Sequence, residues 1–184
     1  LLSYGIEAAI ASGADELVVV ASREVMKSAA SWTFKTPGAF TLQDPPLGTA
    51  DAVKRGIAAL DKPSDVILIL PGDVPLITPE TLKTLMARFK ESQSDLTILG
   101  EEVPDPYGYG RIITDAAGEI LRIVEEKDAT QEQKANHFIN SGIMVVRRDP
   151  LAEMIAAVET NNIQREFYLT DLAALFREKK LKIS

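Results

Sequence analysis

The sequence predicts an α/β fold in which helices flank a twisted, mostly parallel sheet. Up to Gly100, segments with helical periodicity alternate with short aliphatic runs, an order that implies right-handed crossover connections. The run Val66–Leu70 is too short for a membrane span and polar on neither face, so we expect a strand buried on both sides at the centre of the sheet. Turn residues at 114–118 separate two apolar segments and indicate an inserted antiparallel hairpin. These features are typical of a Rossmann-like sheet.

The first sixty residues predict two helices and two strands. Apolar residues recur at helical spacing from Leu2, and Gly13 follows where a helix C-cap stands. A second helix is expected from Thr49, because its apolar residues fall on one face. The strands predicted in this part are residues 16–21 and 39–42.

The rest of the chain predicts three further helices around the remaining strands. Thr78 is a good N-cap with Pro79 at the first helical position, and we expect Asp149 and Pro150 to begin a later helix in the same way. The last helix is expected to follow Asp171. The strands predicted here are 96–100, the hairpin arms 107–113 and 120–124, residues 140–146, and the start of another strand at 181–183.

Composition excludes several classes of function. A chain of 184 residues fits one domain, and its net charge of −7 argues against a nucleic-acid-binding surface. The chain has no cysteine and one histidine, His137, so zinc sites and thiol nucleophiles are excluded. A metal site must use oxygen ligands, which favours Mg²⁺. No stretch is long enough to span a bilayer or resembles a signal peptide, and we expect a cytoplasmic protein.

Four loops combine glycine with polar residues, and together they predict a small-molecule site. They are 43–49, 72–73, 109–111 and 140–142. Gly48 and Thr49 begin a helix, whose free amides suit an anion or a carbonyl oxygen. Asp73 follows the predicted central strand, at the edge where α/β sheets bind ligands, and can hold a cation. The alternative for Asp73 is that it only caps a turn.

Six motifs follow one another in an order and spacing that resemble a known family. They are LGTA (47–50), GDVPLI (72–77), YGRI (109–112), IVEEKDA (123–129), NSGI (140–143) and YLTD (168–171). The chain resembles, from residue 1 to 171, the uridyltransferase domain of bacterial bifunctional N-acetylglucosamine-1-phosphate uridyltransferase/glucosamine-1-phosphate acetyltransferase (GlmU). GDVPLI and IVEEKDA carry most of this resemblance, since they are far more specific than a single glycine motif.

The resemblance implies the nucleotide-diphospho-sugar transferase type of sheet and a reaction for the intact protein. That reaction transfers UMP from UTP to N-acetylglucosamine-1-phosphate with Mg²⁺, giving UDP-N-acetylglucosamine and pyrophosphate for peptidoglycan and lipopolysaccharide synthesis. The roles implied are, for uracil and ribose, Gln43, Gly48 and Thr49; for Mg²⁺, Asp73, with Gly72 against the nucleotide; for sugar and ribose hydroxyls, Gly110, Glu125 and Asn140; and for the N-acetyl side, Tyr168 and Thr170. The sugar phosphate itself attacks, so no protein nucleophile is needed.

The sequence also departs from the family. Its glycine-rich triphosphate loop, its second magnesium ligand and the β-helix domain that forms a homotrimer are absent from residues 1–184, and Pro71 replaces a usual tyrosine. We therefore expect residues 1–184 to be one incomplete nucleotidyltransferase domain that is inactive alone.

The sequence is also compatible with other functions, and with purely structural roles for several residues. The chain could belong to another sugar-1-phosphate nucleotidyltransferase or be a non-catalytic sugar-nucleotide-binding module; a metal-dependent glycosyltransferase is disfavoured because no D-x-D pair is present. We interpret Glu126 and Asp128 as solvated charges and His137 as a surface or structural residue. Tyr107 and Tyr109 could pack on the hairpin, and Arg111 could pair with a carboxylate.

Overall fold

Helices and strands alternate along most of the chain. The computed structural model describes residues 1–29 and 32–184. The helices of this part are α1 Leu2–Ser12, α2 Arg23–Ser28, α3 Thr49–Ala58, α4 Pro79–Ser92, α5 Gln131–Lys134, α6 Arg148–Ile155 and α7 Asp171–Glu178. The strands are β1 Leu17–Ala21, β2 Gly38–Leu42, β3 Val66–Ile69, β4 Leu96–Glu102, β5 Gly110–Thr114, β6 Ile120–Val124 and β7 Phe138–Arg147. The predicted α/β class and the antiparallel hairpin, β5–β6, are confirmed.

Strand β7 organises the larger of the two sheets that the described residues form. β1 and β2 form a separate parallel pair. β7 pairs antiparallel with β4 along one side and with β3 and β5 along the other, since Val146 is opposite both Leu96 and Ile67, and Asn140 is opposite both Gly100 and Gly110. β3 and β4 therefore run in the same direction, as the predicted crossover order requires, but β7 lies between them.

The predicted central position of Val66–Leu70 is wrong. Among the described residues, β3 pairs only with β7, and its four residues are half-buried. Its two faces are nevertheless both covered, because Val66 and Leu68 pack in one apolar cluster and Ile67 and Ile69 pack in another. An aliphatic run specifies two covered faces but carries no information about which strands lie beside it.

Local end signals place several helices correctly. Gly13 ends α1 with a φ of 103°, and the Thr78 hydroxyl accepts a hydrogen bond from the Thr81 amide at 3.2 Å at the start of α4. The predicted cap at Asp149 is wrong, because β7 runs directly into α6 at Arg148. The Arg148 amide instead donates to the Asp65 carbonyl at 2.9 Å, which leaves no place for a capping turn.

Two apolar clusters cover the two faces of the larger sheet. One includes α6 and α7 residues such as Leu151 and Phe176, and the other includes Leu82 and Phe89 of α4. The chain end also joins the sheet, since Ile183 forms a parallel bridge with Leu96, as the pattern at 181–183 predicts. Within the described residues, every helix is too short or too polar to traverse a lipid bilayer.

Candidate functional site

The loop at residues 43–49 is built against the segment 167–170. The Phe167 amide donates to the Leu47 carbonyl, and the Ala50 amide donates to the Phe167 carbonyl, both at 2.9 Å. The Thr49 hydroxyl accepts from the Leu169 amide at 2.9 Å. One amide that we expected to be open at the start of α3, that of Ala50, is therefore taken by the protein. The loop is held in place by a segment about 120 residues away along the chain.

Gly48 is required by this close approach. Its φ is 116°, and a Cβ atom added there would lie 2.5 Å from the Phe167 carbonyl oxygen. Real Cβ contacts are not this short, and a side chain is also strained at this φ. The resemblance assigns Gly48 to ligand contact, and the structure gives it a packing role as well.

The Gln43 side chain lies beside Gly48. Its Nε2 atom donates to the Gly48 carbonyl and to the Asp51 carboxylate, each at 2.9 Å. Asp51 in turn accepts from Arg55 Nε at 2.8 Å. Three predicted residues, Gln43, Gly48 and Thr49, are thus brought together on one side of the segment 167–170.

The hairpin end brings a second group of predicted residues together. Gly110 pairs with Asn140 across β5 and β7, and the Cβ position of Gly110 is 3.5 Å from a Glu125 carboxylate oxygen. The other Glu125 oxygen accepts from the Thr170 hydroxyl at 2.9 Å. The Asn140 Oδ1 atom accepts from the Gly142 amide at 3.1 Å, so its side-chain NH₂ group is the part that can meet a ligand. Residues from four separate parts of the chain meet here.

Carboxylates dominate the electrostatics of this group. Burial raises the pKa of Glu125 above its usual value, and the nearby Asp128 raises it further, while the Thr170 hydrogen bond opposes the shift. Burial, with Glu125 and Asp128, also raises the pKa of Asp171. Acceptor-rich, negatively charged surroundings suit a neutral ligand with many hydroxyl groups and repel a phosphate.

Replacing Glu125 with glutamine is expected to stabilise the fold at pH 7. The folded-state pKa of Glu125 is raised above 4.5, the value in the unfolded chain. Between these two pKa values the folded protein binds more protons than the unfolded chain, so the free energy of unfolding falls as pH rises through this interval. Glutamine has no charge to bury and therefore avoids the desolvation penalty of the ionised side chain. Urea unfolding at pH 7 and pH 4 should show a higher midpoint for Glu125→Gln at pH 7 and no gain at pH 4.

The adjacent Glu126 provides a control, because its replacement by glutamine should lower stability at pH 7 rather than raise it. The hydrogen bond from Arg111 holds the pKa of Glu126 below its usual value, so its stabilisation is present above the unfolded value of 4.5 and is lost as pH falls. Glu126→Gln should therefore destabilise the fold at pH 7 and lose this effect in acid. Equal midpoints for the two variants at pH 7 would contradict this account.

Arg111 is buried and fixes the hairpin. It is 1% exposed, and its guanidinium donates to Glu126 Oε2 at 2.6 Å, to the Asn136 carbonyl at 3.0 Å and to the Tyr109 carbonyl. Arg111 thus pairs with a carboxylate, as the sequence allowed. The interpretation of Glu126 as a solvated charge is wrong, because a charge run in the sequence does not reveal which partner reaches it.

Asp128 is also not simply solvated. Its Oδ1 atom accepts from the Ile163 amide at 2.9 Å, and its Oδ2 atom is buried without a hydrogen-bond partner in the described part of the chain. Tyr168 lies nearby, 8% exposed, and its hydroxyl donates to Gln164 Oε1 at 2.9 Å. Burial, together with Asp128 and Glu125, raises the pKa of Tyr168 to about 12, so the hydroxyl remains a donor at neutral pH.

Other sequence expectations are resolved by exposure and contacts. Tyr107 and Tyr109 are 79% and 49% exposed, so neither side chain is buried against the hairpin. His137 lies on the surface, and its Nδ1 atom is hydrogen-bonded to the Val103 carbonyl at 2.8 Å, so both parts of the interpretation fit.

Asp73 lies exposed at the carboxyl end of β3. Among the described residues it makes no hydrogen bond or ion pair, so the turn-capping alternative is not supported. Its loop touches the loop of Asn140, because a Cβ on Gly142 would lie 2.8 Å from Pro71 Cγ. Gly72 is exposed, and a Cβ atom there would make an ordinary contact with Leu2 Cδ1 at 3.6 Å.

A Mg²⁺ ion bound at this loop would have the carboxylate of Asp73 as its protein ligand. The described residues contain no group of three or more acidic or histidine side chains able to hold a metal. Mg²⁺ keeps several waters and is commonly bound by one or two carboxylates together with substrate phosphates. A free, exposed carboxylate satisfies that requirement.

Sequence reasoning missed Asp51, Arg55 and Phe167. The i,i+4 spacing of Asp51 and Arg55 on a helix starting at Thr49 could have revealed the ion pair. No local signal could have revealed Phe167, because its contact with Gly48 is made by backbone atoms.

Comparison with known proteins gives matches over the whole chain and over half of it. The profile of the family described as Nucleotidyl transferase matches residues 1–183. The bifunctional protein GlmU of Methylococcus capsulatus is 48% identical over 96 residues, which are 52% of this chain and 20% of that protein. The bifunctional protein GlmU of Clostridioides difficile is 45% identical over 104 residues, 56% of this chain and 23% of that protein. The matched part is therefore about a fifth of the length of these relatives.

Solved structures with low sequence identity share the fold. A UDP-glucose pyrophosphorylase complexed with UDP-glucose has a TM-score of 0.77 at 18% identity, covering 97% of this chain and 75% of the other. HddC from Yersinia pseudotuberculosis has a TM-score of 0.65 at 18% identity, covering 99% of this chain and 74% of the other. These likenesses support the Rossmann-like α/β architecture predicted from the sequence.

Proposed function

We propose that the intact protein transfers UMP from UTP to N-acetylglucosamine-1-phosphate. The premise of this proposal is that the chain belongs to the nucleotidyl transferase family, whose profile matches residues 1–183. Sugar-1-phosphate nucleotidyl transfer is supported by the family and by the GlmU relatives. Uridine and N-acetylglucosamine are the more specific part of the proposal, and rest on the six motifs. The products are UDP-N-acetylglucosamine, a precursor of peptidoglycan and lipopolysaccharide, and pyrophosphate.

The convergence of distant loops on the segment 167–170 carries the proposal. The backbone of Phe167 contacts Gly48, and the hydroxyl of Thr170 contacts Glu125. Glu125 in turn lies against Gly110, which pairs with Asn140. The residues that the resemblance assigns to the nucleotide and those that it assigns to the sugar thus form two adjacent groups joined by one segment.

The side chains of the two groups suit different parts of the substrates. The Glu125 carboxylate can accept from sugar hydroxyls, and the Asn140 amide can donate to a sugar or ribose oxygen. Phosphates are repelled by the carboxylates around Glu125, so the sugar ring is expected there with its phosphate directed away. Mg²⁺ held by Asp73 would neutralise phosphate charge. Catalysis then consists mainly of positioning, since the sugar phosphate oxygen is the nucleophile.

Replacing Asp73 with asparagine is expected to lower kcat/KM of the full-length enzyme roughly 100-fold, because a developing charge loses its electrostatic partner. The fold should be unaffected, since Asp73 is exposed and its side chain makes no hydrogen bond or ion pair in the described part of the chain. Pyrophosphate release from UTP and N-acetylglucosamine-1-phosphate measures the effect, with Mg²⁺ titrated for each variant.

The neighbouring exposed carboxylate Glu80 offers a matched control. It lies in the first turn of α4, and Glu80→Gln should retain wild-type activity. Asp73→Asn with unchanged kcat/KM and unchanged Mg²⁺ dependence would contradict the proposed role of Asp73. Uptake of UDP-N-acetylglucosamine by the wild type without any turnover would instead support a binding module.

Substrate choice, assembly and location are further parts of the proposal. Profiling of UTP against other nucleotides, and of N-acetylglucosamine-1-phosphate against other sugar phosphates, distinguishes this enzyme from a related sugar-1-phosphate nucleotidyltransferase. The resemblance also supports a cytoplasmic homotrimer for the full-length protein. Light scattering tests the trimer directly.

A further inference from the structure

The side-chain amide of Gln43 is held in one orientation. Its Nε2 atom lies 2.9 Å from the Gly48 carbonyl oxygen and 2.9 Å from the Asp51 Oδ2 atom. Both neighbours can only accept hydrogen bonds, so the atom facing them must be the NH₂ group, and its two protons are both used. The opposite orientation would place an oxygen against two oxygens.

The Oε1 atom of Gln43 is the part left for a ligand. No described residue donates to it, and it is not among the buried polar atoms that lack a partner, so it is open to solvent. An amide oxygen can only accept hydrogen bonds. A ligand group placed against Gln43 must therefore carry an N–H or O–H donor.

Asp51 and Arg55 set this orientation. Asp51 Oδ2 accepts from Arg55 Nε at 2.8 Å, and Arg55 Nη1 also donates to the Leu42 carbonyl at 3.4 Å. The side chains are 15% and 35% exposed. Although burial opposes the shift, the hydrogen bonds from Arg55 and Gln43 hold the pKa of Asp51 below its usual value, so it remains a charged acceptor at neutral pH.

We infer that the Asp51–Arg55 pair selects the pyrimidine base by fixing Gln43 as a hydrogen-bond acceptor, an inference that rests on the proposed nucleotide transfer. Uracil carries an N–H at ring position 3, whereas cytosine carries a lone pair there. With Gln43 fixed, the uracil N–H is accepted, and the cytosine lone pair faces an oxygen. Asp51 and Arg55 are positioning residues, since they act through Gln43.

Removing the acceptor tests the pair in the full-length protein. Asp51→Ala frees the Gln43 amide to rotate and present its NH₂ group to cytosine, so the ratio of kcat/KM for UTP to that for CTP should fall at least about tenfold. Asp51→Asn keeps a carbonyl oxygen and should restore much of the ratio. Glu91→Gln removes an exposed helical carboxylate 3.9 Å from an arginine and should leave the ratio unchanged.

A second measurement does not depend on activity. In ¹⁵N-labelled protein without ligand, the Gln43 side-chain NH₂ protons should exchange slowly with solvent in the wild type and Asp51→Asn, and at least about tenfold faster in Asp51→Ala. Backbone amide spectra check that each variant folds.

The outcomes separate this inference from the proposed function. Unchanged amide exchange and an unchanged UTP-to-CTP ratio in Asp51→Ala overturn the positioning role while transfer activity remains. A wild type that transfers neither nucleotide overturns the proposed function, and base selection with it. In that case the exchange of the Gln43 amide still decides whether Asp51 fixes its orientation.

Discussion

Replacing Arg111 with methionine is expected to lower the free energy of unfolding by about 3–5 kcal/mol. Methionine fills much of the space but donates no hydrogen bond. Arg111 is only 1% exposed, and three acceptors would lose their donor with it: the Asn136 carbonyl, the Tyr109 carbonyl and the Glu126 carboxylate. A buried charge pair that loses one partner is destabilised more than an exposed pair, because the remaining group is partly desolvated.

Urea unfolding of the wild type and of Arg111→Met measures this effect. Arg177→Met is the matched control, because Arg177 pairs with Asp115 at 3.3 Å while 43% exposed, and its loss should cost no more than about 1 kcal/mol. The gap between wild type and Arg111→Met should narrow as pH falls below 4.5, where Glu126 becomes protonated. Similar losses for the two arginine variants would show that burial of Arg111 is not what matters.

Replacing Gly48 with alanine is expected to cost about 3–5 kcal/mol of stability, the combined effect of backbone strain and overpacking. Part of the cost is backbone strain at a φ of 116° and a ψ of 173°, a region that residues other than glycine rarely adopt. The rest is the overlap of the new methyl group with the Phe167 backbone, 2.5 Å away, which a packed segment cannot relieve by side-chain rotation. The variant should also lose transfer activity, because the 43–49 loop carries Gln43.

Gly118→Ala separates the two causes of this loss. Gly118 has a φ of 84° in the hairpin turn, but a Cβ there meets nothing within 4 Å. Its replacement should cost about 1–2 kcal/mol, which is the strain alone. Unfolding midpoints for both alanine variants give the comparison, and equal costs would mean that the contact with Phe167 is not limiting.

Signals confined to a few neighbouring residues were sufficient for much of the fold. Helix caps and tight turns satisfy backbone groups within their own segment, so the local sequence decides where they form. Examples are Thr78 with Pro79, Gly13 after α1, and the turn at 114–118. The place of β3 was missed, because it depends on pairing with β7, a strand that begins about 70 residues later.

In the candidate site, too, local features could be predicted from the sequence, whereas long-range contacts could not. The glycine-polar loops were recognised from composition, but the partners that shape them come from far along the chain. Gly48 depends on Phe167, and Glu126, in the turn after β6, depends on Arg111 of β5. Only Asp51 and Arg55 carry a local signal that was overlooked, the spacing of one helical turn.

The central position of β7 also governs the order in which the sheet can assemble during synthesis. β3 ends at Ile69, and β7 begins at Phe138, so about 70 residues separate this strand from its partner. At ribosomal rates of 5–20 residues per second, the edge of β3 that pairs with β7 stays without this partner for roughly 3–14 s. An aliphatic strand in that state is a target for chaperones and for mispairing between nascent chains. Slower translation between residues 70 and 138 would lengthen this exposure, and a lower soluble yield is the expected cost.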